Sequence, residues 1–107
     1  METKASQRLK ALRLLMGFKQ EEIANLLDIP AIRYKNVEIG RVKISEDEYS
    51  GIGKALPALL PWLVYSGPIN LEELKVSDNA NERLVAAAIE SGRIPTGYEM
   101  ENSLIAD

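Results

Sequence analysis

Between Ala31 and Lys43 the chain reads AIRYKNVEIGRVK and gathers Arg33, Lys35, Asn36, Arg41 and Lys43. On a helix turning about 100° per residue, set the core direction midway between Tyr34 and Val37. Ile32, Lys35, Asn36 and Ile39 then point outward, Arg33 lies on the flank and Ala31 leads. Lysine donates to guanine O6 and N7, asparagine pairs with the adenine edge, and alanine or isoleucine can touch only a thymine methyl. Arginine and lysine also neutralise phosphate. The bland alternative is a solvated helix face, with the two isoleucines as a protein-contact patch.

Other chemistries have less to stand on. The 107 residues include no cysteine and no histidine. Disulfides, thiolate metal sites and histidine catalysis are therefore excluded. The clusters Glu21/Glu22 and Glu46/Asp47/Glu48 fall where helix starts attract acids. No nucleophile–base pair stands out, so neither an enzyme nor a cofactor is expected. METKASQRLK has no apolar core like a signal peptide, and no apolar run approaches membrane-spanning length. A cytoplasmic protein with no membrane association is the expectation.

The spacing around the cationic stretch predicts helix, tight turn, helix. The first helix is Gln20 to Leu27, the turn Asp28-Ile29-Pro30, and the second helix Ala31 to about Glu38, ending before Gly40. Ile23, Ala24 and Leu27 share one face, as do Tyr34 and Val37. A preceding helix starts after Thr3 or Ser6, carries the stripe Leu9, Leu12 and Met16, and stops at Gly17. Ser45 and Glu48 have the spacing of a capping box, opening a helix with Tyr49, Ile52 and Leu56 inward. Pro57 ends it, Pro61 enters the first turn of the next, and Ser66-Gly67-Pro68 marks a boundary. Beyond it, Leu71 to Leu74 is one helical turn, and Ser77 or Asp78 caps a helix to Ser91. Residues 96–107 read as a mobile tail.

In order, these elements resemble the lambda-repressor-like, Cro/cI-type helix-turn-helix regulators of phages and bacteria. The resemblance rests on Gln20, Ile23-Ala24, Leu27/Ile29, Tyr34, Val37-Glu38 and Gly40-Arg41. It extends to RLKALRLLMGF, ISEDEYSGIGKAL and LPALLPWLVYSG as first, fourth and fifth helices. It covers about residues 6 to 68. It implies an all-α fold: a five-helix DNA-binding domain over 1–68 and a C-terminal helical extension over 69–107. By motif position it implies base readers at Ala31, Ile32, Lys35 and Asn36. It implies phosphate contacts at Lys19, Gln20, Arg33, Arg41 and Lys43. Three positions depart from the pattern. Lys19 and Pro30 stand where a polar cap is usual, and Asp28 where a turn glycine is common.

The charge distribution fits that picture. Residues 1–44 carry nine Lys/Arg against five acids, a net +4, and residues 45–107 carry four against eleven, a net −7. A basic half bearing the helix-turn-helix suits a phosphate-facing surface. The expected function is transcriptional regulation, most simply repression at a double-stranded DNA operator by a homodimer. The expected dimer surface is Trp62, Leu63, Tyr65 and Ser66 with the stripe Leu84, Val85, Ala88 and Ile89. The competing class is a protein-interaction module on the same scaffold, an antitoxin or a phage factor binding a host protein. A third reading is DNA binding without base preference.

Overall fold

The computed structural model describes residues 4–93 and 104–105. Among these residues seven α-helices follow in order: α1 Ala5–Met16, α2 Gln20–Leu26, α3 Ala31–Glu38, α4 Glu46–Ala55, α5 Leu60–Tyr65, α6 Leu71–Lys75 and α7 Ala80–Glu90. A 3₁₀ turn, Pro57–Leu59, leads into α5. The helical architecture expected from the sequence is present. None of these helices is long and apolar enough to cross a membrane.

Local chemistry sets the helix ends. Gly17 closes α1 with φ +72°, the left-handed conformation that costs glycine little. Ser45 accepts from Glu48 N, while the Glu48 carboxylate accepts from Ser45 N at 2.8 Å, so the capping box before α4 is closed. At Lys19 only the return arm exists: Glu22 accepts from Lys19 N at 2.8 Å. Pro30 provides no side-chain cap for α3. Asp28 takes the left-handed conformation with φ 58°, doing the work of the turn glycine.

The helices close over one core. Leu9, Leu12 and Leu15 of α1, Ile23 of α2, Tyr34 and Val37 of α3, Ile52 of α4 and Trp62 of α5 are all buried there. Ala24 and Leu27 join them at the α2–α3 corner, and Ile29 in the turn is buried too. At Gly51 an added Cβ would lie 2.7 Å from the Leu27 carbonyl oxygen, so α4 crosses the end of α2 at a distance that needs glycine.

The C-terminal helices differ from an appendage. Leu74 of α6 and Val85, Ala86, Ala88 and Ile89 of α7 enter the same core, with α7 packed on α1. The division at residue 68 therefore does not separate two cores. Asn79, not Ser77 or Asp78, caps α7, accepting from Asn81 N and Glu82 N. Its amide nitrogen donates to the Ala55 carbonyl at the end of α4. The buried Glu82 carboxylate accepts from Ala58 N at 2.7 Å and from the Ser77 hydroxyl. Arg8 likewise donates to the Leu63 and Val64 carbonyls, two of the acceptors a helix end leaves unpaired. Leu104–Ile105 pairs in parallel with Ile69–Asn70, a strand contact where a tail was expected. The rest of that stretch, 96–103 and 106–107, lies outside the described residues.

Candidate nucleic-acid interface

Two arginine–carboxylate forks hold α3 in place. Glu38 is the last residue of α3, where a negative charge meets the negative end of the helix dipole. Arg13 of α1 offsets this, donating Nε to Oε2 at 2.8 Å and Nη2 to Oε1 at 2.9 Å. Gln20 Nε2 donates to the same Oε1 at 3.2 Å. Burial disfavours the Glu38 charge, but the hydrogen bonds from Arg13 and Gln20 and the nearby Arg13 charge bring its carboxyl below the usual range. Burial also pushes the neighbouring Tyr34 hydroxyl up, so it stays protonated.

The second fork joins α3 to α4. Arg33 donates Nε to Glu48 Oε2 at 2.7 Å and Nη2 to Oε1 at 2.9 Å, and Nη2 also reaches the Lys43 carbonyl at 2.8 Å. The Arg33 guanidinium holds the Glu48 carboxyl down at about 2. A planar guanidinium suits this bidentate geometry. One side chain thus fixes α4, α3 and the loop that carries Arg41 and Lys43.

The expected readers largely emerge on one exposed face. Ile32 is 77% and Ile39 62% exposed. Lys35 is 45% exposed at its side chain and pairs with Glu21 at 3.1 Å, an open-surface contact that stabilises little. Asn36 and Ala31 are half-buried beside them. Lys19, Arg41 and Lys43 are exposed and form no ion pair with any described residue.

Two expected phosphate contacts have other employment. Arg33 is committed to Glu48, and the Gln20 amide to Glu38. Neither pairing was visible locally, since the partners stand 15 and 18 residues away. The Arg13–Glu38 link, across 25 residues, was missed for the same reason.

The expected dimer surface needs a larger correction. Trp62, Leu63, Val85, Ala88 and Ile89 are at most 6% exposed, because α5 and α7 turn these side chains into the monomer core. Tyr65 and Leu84 remain exposed, and Ser66 is half-buried. Val64 and Tyr65 leave an apolar edge at the end of α5. The chain matches no family model, no curated protein and no solved structure.

Proposed function

We propose that the protein is a sequence-specific DNA-binding regulator of transcription, of the lambda-repressor-like Cro/cI type, that occupies a double-stranded operator as a homodimer. The observation that carries this reading is the mounting of α3. Both of its ends are tied to the framework by arginine–carboxylate forks, while Ile32, Lys35, Asn36 and Ile39 face outward. A rigid helix with an outward polar and apolar mixture suits insertion into a major groove. Lys19, Arg41 and Lys43 flank it in sequence as cations available to phosphate.

Salt dependence tests the reading. Three such cations on each of two protomers give a slope of log K against log salt of about −5. Fluorescence anisotropy on a duplex of random sequence measures this background term. Lys35→Glu places a like charge beside phosphate and Glu21, and is expected to abolish binding. Salt-independent or absent binding overturns the reading.

One observation favours the second reading, a protein-interaction module. Ile32 and Ile39 expose apolar surface of the kind a protein partner covers. Under that reading Ile32→Asp disrupts a protein complex, and Lys35→Glu leaves it intact.

A further inference from the structure

Ile32 and Ile39 are seven residues apart, a spacing that returns to within about 20° of the same direction on a helix. Ile32 lies in α3 and Ile39 is its C-cap; both are exposed, so they form one apolar ridge along the helix and its cap, rising about 10.5 Å from end to end. Lys35 and Asn36 lie on either side of that ridge.

The polar means of reading a base are few on this helix. Arg33 is held by Glu48 and the Lys43 carbonyl. Lys35 faces Glu21. Asn36 remains, and one amide specifies one base pair at most. The ridge itself neither donates nor accepts. The apolar group that a base edge offers in the major groove is the C5-methyl of thymine. Lys19, Arg41 and Lys43, which bracket α3 in sequence and form no ion pair with a described residue, favour a polyanion over an apolar protein face as its occupant.

We propose that α3 reads thymine methyl groups, with Ile32 and Ile39 as the side chains that contact them. Rising 10.5 Å against about 3.4 Å per step of one strand, the ridge spans about three base-pair steps. A half-site of this protein therefore carries thymines about three positions apart, with the Asn36 amide between them. The inference rests on the DNA-binding reading above and names the class of sequence it takes.

The test uses the full chain and one random duplex library amplified in parallel with dTTP or with dUTP, which differ only in that methyl group. Bound molecules are enriched over several rounds, and the recovered site is then titrated in both forms. Enrichment of a thymine-containing site is expected in the first library. Its uracil form should bind about fourfold more weakly for each methyl contacted. Ile32→Ser replaces an exposed apolar side chain by a short polar one, so the fold persists, and the variant should bind both forms alike at the position under Ile32. Equal affinity of the thymine and uracil forms for the unaltered protein overturns the inference and leaves the DNA-binding reading standing. Enrichment from neither library overturns both.

Discussion

Arg13 and Glu38 form a bidentate, largely buried ion pair between α1 and the last residue of α3, at 2.8 and 2.9 Å. The pair does more than join two helices. It neutralises a carboxylate that α3 alone would hold at the unfavourable end of its dipole. Arg13→Met leaves that carboxylate buried without its main partner. Losses on breaking such pairs are about 3–5 kcal/mol; the lower end is expected here because Gln20 remains. Urea denaturation of Arg13→Met and of the double variant with Glu38→Leu checks this. The double variant should recover most of the loss.

The Arg33–Glu48 fork separates a framework role from a DNA-contacting one. If Arg33 serves the framework, Arg33→Gln lowers stability but leaves the salt slope of DNA binding unchanged. Lys43→Gln should do the reverse, reducing the slope by about 1 per protomer. Anisotropy titrations from low to moderate salt distinguish the two.

The same fork sets a pH dependence. The Glu48 carboxyl is lowered from 4.5 to about 2 by Arg33. A group whose folded value is depressed contributes stability above its unfolded value and loses it as pH falls through the folded one. Glu38, also lowered, acts in the same direction. Stability should therefore decline from about pH 4.5 toward pH 2. Arg33→Gln should flatten part of that decline in thermal melts.

Gly51 sets two effects against each other. Alanine gains about 1 kcal/mol of helix propensity over glycine. Its Cβ would sit 2.7 Å from the Leu27 carbonyl oxygen, and backbone cannot move aside cheaply. Overpacking of this kind costs about 1–3 kcal/mol. Gly51→Ala is expected to destabilise, with α2 displaced from α4 and a lower melting temperature.

The α5 terminus assigns two aromatic residues different tasks. Trp62 is fully buried, and Trp62→Ala should cost about 3–5 kcal/mol. Tyr65 is 67% exposed beside Val64. Tyr65→Asp should keep the helical fold and halve the mass seen by light scattering, if this edge joins two protomers. A monomeric unaltered protein contradicts the homodimer.

Much of the framework was legible because its causes are local. Ala31–Glu38 matches the expected second helix, and Gly17, Ser45 and Glu48 perform the expected terminal roles. The unread part is long-range. Arg33 looked like a phosphate ligand because nothing near it in sequence declares Glu48 as its partner. The α7 stripe required a partner, and periodicity alone could not choose α1 over a second subunit. Asn79 displaced its neighbours as cap because its amide also reaches Ala55, a contact made only after α4 and α7 meet.

Selection of bound fragments from random DNA at moderate salt tests the central claim most directly, with Lys35→Glu as the companion. A recovered site with two-fold symmetry and half-sites about one helical turn apart, lost in the variant, is the expected result. An empty selection from folded protein, or a site recovered equally well by Lys35→Glu, would contradict it.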